Sequence, residues 1–342
     1  MIELRNDSLV FSFPEVHADA RLEVDLQRTL RIPDDGKNYP LPPGLGRFPL
    51  LHVDDFGARV PADWARHGGV MLPMYQAEAL WINFRSPTGY PFAVKVATGK
   101  INAVTGEQWR DGLNRGPQDY VAVPGQPWLD GYVVEKGFIR QFVAMPLGAG
   151  YTAEEQITGQ AEHGGLQVMA FPLKREVWER ILAERARIQQ ARYEFAEMMP
   201  MMAAPAPAAA GMAMGLGAGG RMKQEIYDDH RPMEEWDLRV SSRCFVHLCN
   251  SMVWRSVTGS EPPTPPPTSE AYTRAGLPWF DYYAEGRTAV EGSKILSGLK
   301  SIFSLGKEKG DLPLPENTPV ETTHVVPLHE KPSGATVREG VF

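Results

Sequence analysis

Cysteine is scarce in this chain: two residues in 342 exclude a disulfide framework as the device that holds the fold. A basic excess is missing too. With 35 Lys and Arg against 42 Asp and Glu, the formal net charge is -7, whereas a protein held to nucleic acid by phosphate neutralisation needs a basic face. No charged-then-apolar leader opens the chain, so a reducing cytoplasm is the expected location. There is no internal repeat. The one uncharged stretch long enough to span a membrane, Met198 to Gly220, is broken by Pro200, Pro205 and Pro207 and then by five glycines from Gly211 to Gly220, which forbid a spanning helix. It reads as a flexible linker with a Met-rich edge.

What is present points to strands. Thirty-three Gly and thirty Pro give a high density of turns, and long periodic apolar stretches are few, so short strands joined by loops are favoured over a helical bundle. Leu22, Val24 and Leu26 alternate with Arg21, Glu23, Asp25 and Gln27, the period-two signature of a half-buried strand. The apolar run Leu9 to Phe13 precedes it, and Pro33-Asp34-Asp35-Gly36 follows as a turn. Leu80, Ile82 and Phe84, then Tyr90, Phe92, Val94 and Val96, alternate on either side of Ser86-Pro87-Thr88-Gly89, which predicts a β-hairpin with a four-residue loop. Further strands are expected at Val121 to Val123, Tyr132 to Val134, Phe138 to Met145 and Leu166 to Phe171. The strand at Phe138 is apolar on both faces and is therefore central, with Arg140 and Gln141 needing partners there.

Helical spacing is concentrated between Glu176 and Glu197, where Val177, Trp178, Ile181, Leu182, Ile188 and Phe195 share a side. Strand pattern returns at Arg221 to Tyr227 and Arg243 to Leu248. The expected organisation is a mainly β, antiparallel β-sandwich or barrel-like core over 1-173, an amphipathic helix and linker over 174-212, and a second β segment with short helices over 213-305. That segment belongs to the same core or forms a small second domain. A polar, Pro-rich tail over 306-342 is expected to be disordered.

No motif specifies a reaction or a cofactor. Cys244 and Cys249, at odd separation on one strand, point to opposite faces and cannot share a metal. No metal site is expected. Asp228-Asp229-His230 with Glu234-Glu235 lacks a calcium-loop pattern and reads as a solvated loop. The glycines at 148-150 and 217-220 lack the strand-to-helix setting of a phosphate cradle and read as turns or hinges.

The densest polar and aromatic grouping runs from 126 to 163. Gln126, Trp128, Arg140, Gln141 and Gln156 could line a pocket for a polar ligand, with Asp130, Glu154 and His163 as acid or base candidates. The alternative reading is structural: an aromatic anchor, an Asp-Gly turn, and Arg140 paired with Glu154 or Asp130. The aromatic run Trp279, Phe280, Tyr282 and Tyr283 is either a core plug or an interaction surface, aromatics being the residues that carry interface energy.

The stretches RTLRIPDDG, QDYVAVPGQPWLDG, IRQFVAMPLGAGYTAEEQITG, GGLQV, GGRMKQEIY and AGLPWFDYY together resemble a family of uncharacterised bacterial and fungal proteins, over roughly residues 10 to 305. Members are sometimes labelled membrane proteins. The resemblance implies no activity, cofactor or site residue.

These observations favour a non-enzymatic binding or self-assembly module with a protein partner or a second copy of itself, over a hydrolase or lyase using Asp130, Glu154 or His163 near Arg140. Peripheral membrane contact through the 290 to 303 segment, where Lys294 and Lys300 flank an apolar face, is the weakest alternative.

Overall fold

Alternating apolar side chains generate two sheets whose inner faces meet. The computed structural model describes residues 1-193, 215-284, 287-311, 319-322 and 324-329. Among these the chain is mainly β, with 35% strand and 21% helix. The first sheet has nine strands, ordered Ile2–Arg5, Ser8–Ser12, Arg21–Thr29, Ala79–Arg85, Phe138–Met145, Gly215–Lys223 and Asn38–Tyr39, with Trp128–Leu129 and Gly131–Glu135 paired to the side of this path. The second has seven: Val121–Val123, Phe92–Thr98, Leu166–Pro172, Ser242–Cys249, Val70–Pro73 and Leu51–His52, with Ile101–Asn102 paired to Phe92–Thr98. Most pairs are antiparallel. Two are parallel, Gly215–Lys223 with Asn38–Tyr39 and Ser242–Cys249 with Val70–Pro73, so both sheets are mixed.

One contiguous core joins them. Leu22, Val24, Leu26, Leu80 and Ile82 from the first sheet and Phe92, Val94, Val96, Val168 and Val246 from the second belong to the same buried cluster. Phe138–Met145 is central in the first sheet, as its two apolar faces require. The 213-305 segment supplies a strand to each sheet.

The hairpin expected across Ser86-Pro87-Thr88-Gly89 does not form. Ala79–Arg85 pairs in the first sheet and Phe92–Thr98 in the second, so the turn carries the chain from one sheet to the other. Tyr90 explains the crossing: fully buried at the corner, its ring packs against Phe92 at 5.3 Å and Trp178 at 4.9 Å, and its hydroxyl donates to the carbonyl of Leu173. A large aromatic with its hydroxyl satisfied is more stable between the sheets than at a hairpin tip.

Three other expectations change. The glycine run 217-220 is strand rather than hinge: a Cβ on Gly220 would lie 2.3 Å from the Pro33 carbonyl oxygen, and one on Gly219 2.6 Å from Val143, so close backbone approach demands glycine there. The remainder of the uncharged linker, with Phe195, lies outside the described residues. Within the tail expected to be unpatterned, two short pieces are regular: the helix Ile302–Lys309 runs into its start, and Val325–His329 forms a strand that pairs in parallel with Trp279–Tyr283; residues 312-318, 323 and 330-342 lie outside the described residues. Most of the apolar face considered for membrane contact is occupied internally: Leu296, Leu299 and Ile302 are buried and Phe303 is half-buried, while Ile295 is exposed. Among the described residues no helix is long and apolar enough to cross a membrane.

The helix Arg175–Tyr193 docks by its first turn, with Val177 and Trp178 buried and the indole N–H of Trp178 donating to Asp19 at 3.1 Å. Leu182 is exposed.

Candidate functional site

The polar residues singled out between 126 and 163 have firm positions, and most of them hold backbone. Gln126 is buried; its Nε2 donates to the carbonyls of Trp128 at 3.1 Å and Glu225 at 3.3 Å, while its Oε1 accepts from the Tyr227 amide at 3.2 Å. Gln118 does the same one step further on, donating to the Tyr227 carbonyl at 3.2 Å and accepting from the Asp229 amide at 2.7 Å. The extended segment 225-229 pairs with residues 288-290 along its other edge, through Asp228 N to Thr288 O and Val290 N to Ile226 O. Two side-chain amides thus stand in for the neighbouring strand that this segment lacks. A primary amide presents the same donor and acceptor as a peptide, which is why glutamine can do this.

Gln141 and Gln156 repeat the device. Gln141, wholly buried, donates to Leu30 O at 2.8 Å and accepts from Ile32 N at 2.8 Å, and Gln156 donates to Lys300 O at 3.1 Å and accepts from Lys300 N at 2.8 Å. Arg140 pairs with Asp34 at 3.3 Å and with the Gly219 carbonyl at 3.1 Å, not with Glu154 or Asp130. Asp130 is enclosed with Gln224, whose Oε1 accepts from its backbone N at 3.0 Å and whose Nε2 donates to its carboxylate at 2.5 Å. Burial pushes the Asp130 carboxyl up to about 7, the Gln224 hydrogen bond opposing. Glu154 caps the loop before the second sheet by accepting from Gly164 N at 2.9 Å and His163 N at 3.3 Å. Of the four residues on which catalysis would rest, only Glu154 and His163 meet, through a backbone amide of the histidine.

The aromatic candidates divide. Trp279 is buried against Tyr39 and Tyr272, which removes it from any interaction surface. Phe280 and Tyr282 are half-buried, Tyr282 packing on Trp128 at 4.8 Å. Tyr283 contributes backbone pairing to His329, and its side chain lies outside the described residues. Trp128 packs edge-on to Trp81 as well as on Tyr282, an aromatic anchor.

One member of the acidic run departs from the solvated loop expected of it, whereas His230 and Glu234 are exposed as expected. Asp229 is buried and accepts from the Tyr120 hydroxyl at 2.7 Å, the Trp236 indole at 2.9 Å and Arg231 N at 3.0 Å. Among the described residues no group of His, Cys, Asp and Glu is arranged to hold a metal ion. Cys244 and Cys249 are free and buried, and burial pushes both thiols up to about 12, away from nucleophilic thiolate.

A different place gathers side chains that are not so engaged. Pairing aligns Ala97, Gln167 and Phe245 across the outer face of the second sheet, with Lys95, Met169 and Arg243 in the adjoining row. This face floors a cleft of about 470 Å³, within the range of small-ligand sites. The helix Ala62–His67 lines it with Trp64 and Arg66, and Lys100, Trp109, Leu147 and His163 are further lining residues.

Stacking fixes the helix on the floor. Trp64 stacks on His247 at 4.8 Å, and His67 and the Arg243 guanidinium both pack on the Phe245 ring, at 4.8 Å and 5.2 Å. His247 Nε2 lies 2.9 Å from the Gly68 carbonyl, so that nitrogen carries the proton, and burial pulls the imidazole down to about 4 and keeps it neutral. Beside Trp109, Lys95 is buried, donating to Arg110 O, Gly112 O and Asp119, with its ammonium 4.9 Å from the centre of the Trp109 ring. Gly99 and Gly164 supply tight backbone here; a Cβ on Gly99, at φ +55, would fall 2.5 Å from Glu154 Oε2.

Gln167 sets this floor apart from the clamps. Its Nε2 donates to Gly99 O at 2.8 Å, which fixes the orientation of the amide, but its buried Oε1 meets no donor among the described residues. A buried amide oxygen left so costs about 1–3 kcal/mol. A larger cavity of about 620 Å³ lies beside the helix Ile302–Lys309. Some of its polar groups are engaged: Tyr151 donates to Asp311, and Lys307 packs over Phe303.

The residue pattern alone missed this cleft because its parts are short-range silent: Trp64, Gln167 and Phe245 come from three separate segments. The readable signal was the polar Gln167 in an otherwise apolar strand. No family model matches the chain, and no curated protein or solved structure matches it.

Proposed function

We propose that the chain is a non-enzymatic binding module that engages a protein partner through the cleft on the outer face of its second sheet. The observation that carries this is a contrast in saturation: Asp130, Arg140 and Glu154, on which a hydrolase or lyase would rely, are already bound by Gln224, by Asp34 and the Gly219 carbonyl, and by backbone amides, while the cleft is lined by stacked aromatics and cations, with His163 among its lining residues and Gln167 Oε1 unmatched in its floor. Asp130 has a proton affinity suited to acid or base work near neutrality, but it is 2% exposed and faces Gln224. Aromatic and arginine side chains in a preformed concavity are the groups that anchor protein interfaces.

The test uses the whole chain as bait beside His67→Ala and Phe245→Ala variants, after thermal melts show all three folded. Proteins captured by the wild-type chain and lost from both variants support the reading, with light scattering on the eluate identifying a second copy as the occupant if that is the case. The same captured set from all three baits contradicts it.

A further inference from the structure

The charges around the cleft come close to cancelling. Arg66, Lys100 and Arg243 stand against Asp63 and Glu162, with Arg66 paired to Asp63 at 2.7 Å and Arg243 to Asp111 at 3.2 Å. Charge therefore selects no ligand here, and what remains is ring surface. Trp64, Trp109 and Phe245 line the cleft and are each half-buried, so each keeps part of its ring open. The indole N–H of Trp64 meets no acceptor among the described residues and is not sealed from solvent. Open aromatic rings with a spare donor suit a polyproline II segment, whose pyrrolidine rings pack on aromatics and whose carbonyls make no hydrogen bonds of their own.

The chain carries such a segment. Between the helices Ser251–Thr258 and Ser269–Arg274 runs Glu-Pro-Pro-Thr-Pro-Pro-Pro-Thr, residues 261 to 268. Each of its prolines fixes its own φ and pushes the residue before it toward extended backbone, so polyproline II is the favoured conformation before any partner arrives. The segment is held from behind: Pro262 is buried, the Arg28 guanidinium donates to the Pro265 carbonyl, and Thr268 caps the next helix by accepting from Ala271 N at 3.1 Å. Outward, Pro263 and Pro265 are exposed and Pro266 is half-buried. Three residues make one turn, which places Pro263 and Pro266 on one edge, and their carbonyls accept no hydrogen bond among the described residues. A ridge fixed in this way loses little conformational freedom on docking. None of its prolines lines the cleft, and Arg28, which holds it, belongs to the first sheet, so the ridge does not fill the cleft of its own chain.

From this, and resting on the binding reading above, we infer that the cleft is filled by the proline ridge 262-267 of a second copy of the chain. Pro263 and Pro266 of one copy pack on Trp64, Trp109 and Phe245 of the other, and the Trp64 indole donates to a ridge carbonyl. Each copy offers one ridge and one cleft, so a reciprocal pair uses both.

Light scattering is read on the full chain over a concentration series reaching about 1 mM. In parallel, a labelled synthetic peptide of residues 259 to 270 is titrated with the chain by fluorescence anisotropy, beside the same peptide with alanine at 263 and 266. The expected result is a mass that rises from one chain toward two, with saturable binding of the proline peptide that changes little with salt. The double variant Pro263→Ala, Pro266→Ala is expected to self-associate about tenfold more weakly with its melting temperature unchanged, while its intact cleft still binds the proline peptide. Trp64→Phe, which keeps a ring and removes the N–H, is expected to weaken binding of that peptide several-fold. A chain that stays monomeric throughout, an association that the proline replacements leave intact, or equal binding of the alanine peptide would each overturn the inference. If any of these is seen while capture of another protein still depends on His67 and Phe245, the inference falls and the binding reading stands. If wild-type, His67→Ala and Phe245→Ala baits also capture the same set, both fall.

Discussion

Gln141 and Gln167 are the same residue type on central strands of the two sheets, and they are used in opposite ways. Gln141 is matched at both ends, by Leu30 O and Ile32 N, and sews a segment without strand pairing to the first sheet. Gln167 is matched at one end only, at the floor of a cleft. The first region, extending through Gln118, Gln126, Gln156 and Gln224, shows how a β-rich chain satisfies irregular backbone without extra strands. The second shows polar capacity left over where a ligand can reach the neighbouring side chains. Burial alone does not separate the two, since both glutamines are nearly inaccessible; partner count does.

The largest way to break the comparison is at the saturated end. Asp229→Ala removes the acceptor from the Tyr120 hydroxyl, the Trp236 indole and Arg231 N. Leaving these buried donors unmatched is expected to cost about 3 kcal/mol or more in urea unfolding. A loss below about 1 kcal/mol would mean that the network is dispensable.

Gln126→Leu comes next, freeing Tyr227 N and Glu225 O, with an expected loss of about 2 kcal/mol. The same urea series reads it, and amide exchange at Tyr227 should accelerate with it.

A smaller effect, of opposite sign, is expected at Asp130. Its carboxyl titrates near 7 in the folded chain and near 4 when unfolded, so between those values the unfolded state gives up its proton first and stability falls as pH rises. His247 acts the other way. Its imidazole titrates near 4 when folded and about 6.5 when unfolded, so its contribution is present above 6.5 and is lost as pH falls toward 4. Asp130→Asn keeps an oxygen for Gln224 and removes only the first effect. Its melting temperature should exceed that of the wild-type chain at pH 8 by a few degrees, with the difference shrinking toward pH 4. A variant less stable than the wild-type chain at pH 8 would contradict the assignment. The smallest effect is at the cleft rim, where Lys100→Glu is expected to change stability by less than about 0.5 kcal/mol.

How much of this was legible depends on range. Strand positions were readable because alternation is local: Phe138–Met145 and Val121–Val123 begin and end where their patterns do. Sheet membership was not. Nothing in residues 79 to 98 reveals that Tyr90 fills the corner between sheets, so two adjacent alternating runs read as a hairpin. The clamps were illegible for the same reason, since Gln126 reaches Glu225 and Gln141 reaches Leu30 across about a hundred residues. Asp229 looked solvated because its partners Tyr120 and Trp236 are set by the fold rather than by the run of acids around it. Val325–His329 escaped notice because Pro327 interrupts a five-residue run, a position tolerated only on an edge strand such as this one.

The most direct measurement is paired urea unfolding of Gln141→Leu and Gln167→Leu. Each replacement keeps side-chain bulk and deletes the amide, but the first strands a peptide donor and a carbonyl whereas the second strands one carbonyl and removes an oxygen that was already unmatched. The expected result is a loss of about 2 kcal/mol for Gln141→Leu and less than half of that for Gln167→Leu. Equal losses, or a larger one at Gln167, would show that the cleft floor is as much a part of the scaffold as the clamps are.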